Sequence, residues 1–161
     1  MSHLPIARAL ALLTPLLLLG GAYASQYWGG LHPCEMCWWQ RYPHMVAIPV
    51  AVAAYLTKGM PGVSATFTAL AALAIGTSGG IGLFHAGVEY GWWQGLTACS
   101  TTPTGGSTAD ILNQIMATPI TRCDVAPWSL LGISLAGYNG LLSVGAMVAI
   151  LGLLTRKGRT I

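Results

Sequence analysis

The chain has 161 residues, of which 54% are hydrophobic and 7% charged, and its formal net charge is +3. Soluble domains carry about 25% charged residues, so this composition argues against a soluble protein and indicates a membrane protein. No basic cluster is interleaved with aromatic residues, which argues against nucleic acid as a partner. The length predicts a single domain over residues 1–161.

Four apolar segments are predicted to cross a membrane, since a spanning helix needs about 20 mostly apolar residues. In chain order they cover residues 9–27, 42–57, 63–86 and 127–154. The third is rich in small residues between Gly76 and Gly82, which predicts close helix packing rather than chemistry. We therefore expect an all-α membrane protein, a bundle of four transmembrane helices with lipid around it.

The first segment has an alternative interpretation as a cleavable signal peptide. A basic residue, Arg8, precedes its leucine-rich core, and small residues follow at Ala22 and Ala24. Cleavage would leave the other three segments unchanged, so the topology does not decide between the two interpretations.

Charged and aromatic residues predict the orientation. The positive-inside rule assigns both termini and the connection after the second segment to the cytoplasm. The basic residues concerned are Arg8, Lys58, Arg156, Lys157 and Arg159. The opposite side receives residues 28–41 and 87–126, with all four acidic residues. The tryptophans fall at the outer ends of the segments, as an aromatic belt does: Trp28, Trp38, Trp39, Trp92, Trp93 and Trp128.

All four cysteines, Cys34, Cys37, Cys99 and Cys123, lie in the two predicted outer loops. An even number in an oxidising compartment predicts two disulfides, but three connectivities remain open. Cys34 and Cys37 form a Cys-X-X-Cys motif, whose ring is too small for an effective structural staple and suits redox exchange. Zinc sites use the same spacing, but the other two cysteines are too far apart to supply a second close pair. We predict no metal.

For Cys99 and Cys123, a structural disulfide is a serious alternative to a redox role. A bridge closing a loop of about 25 residues would stabilise the fold by roughly 3 kcal/mol. Two features favour redox exchange. The residues between Thr101 and Ser107 read as a flexible loop, and Arg122 would favour a thiolate on Cys123.

The second outer loop also contains a short apolar face that begins after Asp110. Its members are Ile111, Leu112, Ile115 and Met116. The spacing predicts a short helix, either lying at the membrane interface or buried in the protein.

Two further ionisable residues are candidates for the site. Arg41 follows Cys37 by one helical turn and would favour a thiolate there. Pro43, however, predicts that the helix begins at Arg41 or later, and the alternative role for Arg41 is an interfacial arginine without chemistry. His85 lies at the outer end of the third segment, with Glu89 one turn beyond. An ionisable group at that depth is a functional candidate by default, the alternative being a structural histidine.

Three stretches together resemble the DsbB family of disulfide bond formation proteins. They are CEMCWWQRYP, FHAGVEYGWWQGLTACS and CDVAPWSLLGISLAGYN, beginning at Cys34, Phe84 and Cys123. They occur in order and at suitable spacing over nearly the whole chain. The resemblance implies a four-helix bundle in the bacterial inner membrane with the cysteine-bearing loops in the periplasm, and it favours an uncleaved first helix.

The resemblance also implies a path for electrons. The pair matching Cys99 and Cys123 exchanges with a DsbA-like periplasmic protein of the thioredoxin fold, and Cys99 forms the mixed disulfide. The electrons then pass to the pair matching Cys34 and Cys37.

The final acceptor implied by the resemblance is a quinone, either ubiquinone or menaquinone. The thiolate matching Cys37 interacts with the quinone ring, the arginine matching Arg41 supports the site, and the histidine matching His85 lies near it. On this hypothesis His85 donates a hydrogen bond or a proton to a quinone oxygen.

Two other functions fit parts of the pattern. A quinone reductase similar to the vitamin K epoxide reductase family has the same kinds of cysteine pairs, but there the loop pair precedes the Cys-X-X-Cys motif, and here it follows. A four-span protein with two structural disulfides and no turnover is the other alternative. The sequence leaves the thiol partner, its range of clients and the oligomeric state undetermined.

Overall fold

The computed structural model describes residues 3–96, 107–117 and 121–156. Its elements in chain order are α1 (Leu4–Tyr27), α2 (Glu35–Leu56), α3 (Pro61–Glu89), α4 (Thr108–Ala117), β1 (Ser129–Leu130), β2 (Ile133–Ser134) and α5 (Leu135–Thr155). The two short strands pair as an antiparallel hairpin. Apart from this hairpin, the described elements are helical, as predicted.

The four long helices pack antiparallel to their neighbours in the chain. Near one end of the bundle, the Ser64 hydroxyl of α3 donates to the carbonyl of Ala54 in α2 at 2.7 Å. Near the other end, the Arg41 guanidinium of α2 donates to the carbonyl of Ala22 in α1. Helix α5 packs against both α3 and α1, which closes the bundle.

Three of these helices, α1, α3 and α5, are long and apolar enough to cross a membrane. Helix α2 is less apolar because it contains Gln40, Arg41 and His44, and its crossing remains a prediction. The bundle buries small residues, while large apolar side chains such as Leu17 and Val148 point outward. This distribution suits a lipid environment, in which the outward-facing apolar side chains contact lipid.

Small residues bring α3 and α5 into close contact. A Cβ atom added at Gly82 would lie 2.9 Å from the Ala136 carbonyl oxygen and 2.9 Å from the Gly140 nitrogen. Both atoms belong to the backbone of α5, so they could move only with the helix. This contact confirms the predicted packing face at Gly82, whereas Gly80 of the same stretch has open space beside it.

Helix α2 begins earlier than Pro43 predicts. Cys34 occupies the N-cap position, and its sulfur accepts a hydrogen bond from the backbone N–H of Cys37. The helix therefore begins at Glu35 and includes Pro43 in its interior, so the prediction of a start at Arg41 or later is wrong. The cap supplies the hydrogen bond that an exposed first turn would otherwise lack.

The last long helix begins later than the predicted segment 127–154. Its predicted start is instead occupied by the hairpin, whose turn residues Leu131 and Gly132 have φ values of 51° and 78°. Two consecutive positive φ values are typical of tight hairpin turns. Ser134 then caps α5, since its hydroxyl accepts from the backbone N–H of Gly137 at 3.1 Å.

Candidate functional site

The Cys-X-X-Cys motif lies at the N-terminus of α2, where its two sulfurs are in direct contact. The thiol of Cys34 donates a hydrogen bond to Sγ of Cys37 at 3.0 Å. In return, the backbone N–H of Cys37 donates to Sγ of Cys34 at 3.3 Å. The structure therefore shows the pair as two hydrogen-bonded thiol groups.

This contact separates the acidities of the two thiols. Both cysteines precede the apolar part of α2. The hydrogen bond from Cys34 lowers the pKa of Cys37, although burial acts in the opposite direction. The same bond, together with burial, raises the pKa of Cys34 to about 12. When the pair loses one proton, the negative charge is therefore expected on Cys37. The sequence predicts this effect from Arg41, whereas the structure attributes it first to the neighbouring thiol.

We expect the reduced pair to lose its two protons in well-separated steps. In a variant with alanine at Cys99 and Cys123, Cys37 should form a thiolate below the pH at which free cysteine titrates, about 8.5. Cys34 should stay protonated until about pH 12. Ultraviolet thiolate absorbance as a function of pH measures both steps. Adding Cys34→Ala should raise the pKa of Cys37. If the pair instead titrated in two overlapping steps near the pKa of free cysteine, the assignment would be contradicted.

His85 of α3 is buried against this pair. Its Nε2 lies 3.6 Å from Sγ of Cys34, and its Nδ1 lies 2.8 Å from Nε2 of Gln40. The Gln40 amide nitrogen also donates to the backbone carbonyl of Met36 at 3.2 Å. Because a carbonyl only accepts, the NH₂ end of the amide faces His85, so Nδ1 accepts and the ring proton of neutral His85 lies on Nε2.

The same cluster is close enough to hold a metal ion. Sγ of Cys34, Sγ of Cys37 and Nε2 of His85 all lie within 4.8 Å of one another. A metal would need the lone pair of Nε2, however, and the hydrogen bond from Gln40 places the ring proton on that nitrogen. The observed donor arrangement therefore suits a thiol pair better than a metal centre.

Cys123 is brought to the same place from the second outer loop. It is buried and packs in one cluster with Cys34, Met36 and Val88. Its backbone also forms a hydrogen bond with His85. Three of the four predicted site cysteines are therefore together. Cys99, its predicted pairing with Cys123 and most of the predicted flexible loop lie outside the described residues.

The remainder of the second outer loop is described in part. The predicted short helix is present as α4, and its first turn is capped by reciprocal hydrogen bonds between Ser107 and Asp110. The side chains of Ile111, Ile115 and Met116 lie outside the described residues. Arg122, predicted to favour a thiolate on Cys123, forms an exposed ion pair with Asp124 and lowers the pKa of that carboxyl.

Arg41 is buried and joins α2 to α1. Its Nη1 donates to Oε1 of Gln26 at 2.6 Å, and its Nη2 donates to the carbonyl of Ala22 at 3.2 Å. The guanidinium also lies over the rings of Tyr23 and Trp38, 4.8 and 4.9 Å from their centroids. These contacts hold a fixed positive charge close to the motif.

Two cavities meet at Cys37. The first has a volume of about 230 Å³, lies between α1, α2 and α5, and is lined mostly by apolar side chains together with Cys37, Arg41 and Asn139. The second has a volume of about 330 Å³, is formed largely by the outer loops, and is lined by Cys34, Cys37 and Glu89 among others. Cys37 is therefore accessible both from a loop cavity and from an apolar cavity between helices.

Sequence reasoning missed two polar residues of the site, Gln40 and Asn139. Both are amide side chains on otherwise largely apolar helices, and Asn139 donates to Oε1 of Gln40 at 2.9 Å. A signal was available, because Gln40 and His44 stand one turn apart on α2 and face the same side. The sequence does not show, however, which other helices the side chains of Gln40 and His44 will contact, because that depends on how the helices pack.

A membrane-type helical bundle with a coupled thiol pair at one end defines the class of protein as a membrane thiol–disulfide protein. Comparison with known proteins makes this specific. The family model described as "Disulfide bond formation protein DsbB" matches residues 5–153. The chain therefore belongs to the DsbB family, which confirms the resemblance and implies disulfide oxidoreductase activity.

Two relatives illustrate the similarity. Disulfide bond formation protein B of Marinobacter nauticus is 28% identical over 144 residues, covering 84% of this chain and 82% of the relative. An uncharacterized protein of Rickettsia prowazekii is 29% identical over 136 residues, covering 83% of this chain and 77% of the relative. No solved structure matches the chain.

Proposed function

We propose that this chain is a disulfide oxidase of the bacterial inner membrane. It reoxidises a DsbA-like periplasmic protein of the thioredoxin fold and delivers the electrons to a membrane quinone, ubiquinone or menaquinone. The observation that carries the proposal is the position of Cys37, which lines both the loop cavity and the apolar cavity. A thiol in that position can receive electrons from one side and release them on the other.

On the loop side, the proposed donor to the motif is the Cys99–Cys123 pair. Thiol–disulfide exchange requires a thiolate to approach a disulfide sulfur directly. The burial of Cys123 beside Cys34 supports such an approach. In the complete reaction the partner dithiol loses two electrons and two protons and becomes a disulfide, while the quinone gains both and becomes a hydroquinone.

On the membrane side, the apolar cavity is the proposed quinone site. Its mostly apolar lining suits a ring that arrives from the bilayer, and the fixed charge of Arg41 lies in its wall. When bound there, the quinone supplies a two-electron acceptor. The chain places Sγ of Cys37, the more acidic sulfur of the pair, in the same wall. His85 lines the loop cavity and contacts Cys34.

The arrangement of the bundle supports a topology. The end of α1, the start of α2, the end of α3 and the start of α5 lie together because the helices alternate in direction. The described tryptophans are at this end. We propose that it faces the periplasm, that both termini are cytoplasmic, and that α2 is the fourth membrane span.

The test is quinone reduction by the purified chain in detergent, followed by the quinone absorbance after addition of a reduced thioredoxin-fold donor. We expect turnover with at least one of ubiquinone and menaquinone and stoichiometric oxidation of the donor. Absence of turnover with either quinone and several such donors, in a folded protein with intact disulfides, would favour a protein with two structural disulfides.

A further inference from the structure

A buried set of hydrogen bonds connects α5, α2 and α3. The Ser143 hydroxyl and Nε2 of His44 both approach Oδ1 of Asn139, at 3.1 and 3.0 Å. Nδ2 of Asn139 donates to Oε1 of Gln40 at 2.9 Å. Nε2 of Gln40 in turn donates to Nδ1 of His85 at 2.8 Å. Each group thus donates to the next one along the set.

The orientation of both amides is set by backbone carbonyls. Nε2 of Gln40 also donates to the carbonyl of Met36, and Nδ2 of Asn139 also donates to the carbonyl of Ser78. Since carbonyls accept and never donate, neither amide can rotate by half a turn without losing a bond. The direction of donation is therefore built into the packing.

The set continues to the thiol pair in the same direction. With Nδ1 of His85 occupied as an acceptor, Nε2–H faces Sγ of Cys34. The thiol of Cys34 then donates to Sγ of Cys37. The last acceptor in this series of hydrogen bonds is the sulfur of Cys37, the thiol of the pair that ionises first.

We propose that Gln40 and Asn139 are positioning residues for the thiol pair: they hold His85 with its proton on Nε2, and the aligned donors stabilise the thiolate of Cys37. Hydrogen bonds that donate in one direction polarise one another, and their effect is larger in a buried, low-dielectric site. The role of this thiolate in electron transfer rests on the proposed function, whereas its stabilisation does not.

The carboxylate of Glu89 and the backbone of Cys123 also face the ring of His85. Oε1 of Glu89 lies 3.9 Å from Nε2 and would favour a doubly protonated ring. A second ring proton would have to sit on Nδ1, opposite the NH₂ group of Gln40. Turning the amide so that Oε1 faces Nδ1 would set that oxygen against the Met36 carbonyl and the NH₂ group against Nδ2 of Asn139. The backbone of Cys123 forms a hydrogen bond with the ring and carries no charge.

The experiment uses the full chain in detergent with its cysteines reduced and without quinone. Nitrogen-15 spectra of labelled histidine report which ring nitrogen of His85 carries the proton. Alkylation at neutral pH, quantified by mass spectrometry, reports the thiolate of Cys37. In the wild type we expect a protonated Nε2 and an unprotonated Nδ1 on His85, with alkylation at Cys37 faster than at Cys34.

Two variants interrupt the bonds at different points. Gln40→Met keeps the length of the side chain without the amide, and we expect Cys37 to be alkylated about fivefold more slowly, the scale of losing one neutral hydrogen bond. Asn139→Leu should slow alkylation by a smaller factor, because the Met36 carbonyl still orients Gln40. Ser78→Ala is a third variant. Because Ser78 bonds directly to both Gln40 and Asn139, it should give an intermediate effect. The neutral control is Ser64→Ala, which removes a buried hydroxyl that donates to a backbone carbonyl of α2 at the opposite end of the bundle, and His85 and Cys37 should be unaffected.

Either of two results would overturn the proposal. One is a proton on Nδ1 of His85 in the wild type, a measurement that stands even if the variants fail to fold. The other is unchanged alkylation of Cys37 in a folded Gln40→Met protein. Because no quinone or partner is present, these results are independent of the turnover test.

Discussion

Replacing Cys37 with serine is expected to abolish quinone reduction, lowering turnover by at least about a thousandfold, to the uncatalysed level. Serine cannot form the disulfide through which electrons must pass, and its hydroxyl does not ionise at neutral pH. Its side chain is nearly the same size as that of cysteine, so the hydrogen bond with Cys34 has a close substitute and the fold should persist. The rate of quinone absorbance loss measures the effect.

Cys34→Ser is the matched control for this experiment. It should also stop turnover, because the pair can no longer close. However, the serine hydroxyl can still donate to Sγ of Cys37, so Cys37 should remain reactive toward an alkylating reagent at neutral pH. Appreciable quinone turnover by Cys37→Ser would show that the electrons take another route and would remove the basis of the proposed mechanism.

Loss of Arg41 is expected to have the second largest effect. Arg41→Leu would leave Oε1 of Gln26 and the carbonyl of Ala22 without their observed donor, and it would remove the cation between Tyr23 and Trp38. We expect a loss of about 3 kcal/mol in stability. If the apolar cavity holds the quinone, KM for the quinone should also rise by more than about tenfold, the scale of one charge-assisted hydrogen bond.

Arg41→Lys and Arg8→Gln separate the contributions. Lysine keeps the charge but cannot contact two acceptors in a fixed fork, so KM should lie between the wild-type and leucine values. Arg8 lies over the ring of Tyr55 at the opposite end of the bundle, and its replacement should leave the quinone KM unchanged. Thermal unfolding and the separate values of KM and kcat provide the readouts. A quinone KM in Arg41→Leu equal to the wild-type value would place the quinone elsewhere.

Several features of this protein could be predicted from the sequence because their causes are local. Low charge and long apolar segments are sufficient to predict membrane helices, and the Cys-X-X-Cys spacing alone brings Cys34 and Cys37 together. The motif blocks are contiguous, so the family could be recognised without a structure. The start of α2 is also local in origin, because Cys34 caps the helix and its interior accommodates Pro43.

The remaining features depended on tertiary structure. The site is assembled from separate parts of the chain: α2 supplies Gln40 and is capped by Cys34, α3 supplies His85, the segment before α5 supplies Cys123, and α5 supplies Asn139. No short-range pattern predicts that these parts will meet. Antiparallel packing of α2 against α3 determines that His85 reaches Cys34, and the small residues of α3 and α5 determine how closely Asn139 approaches Gln40. The composition and the order of residues thus determined the class, the helices and the family of this protein. Only the register between packed helices decided which polar groups surround the thiol pair, because that register is a property of the assembled bundle.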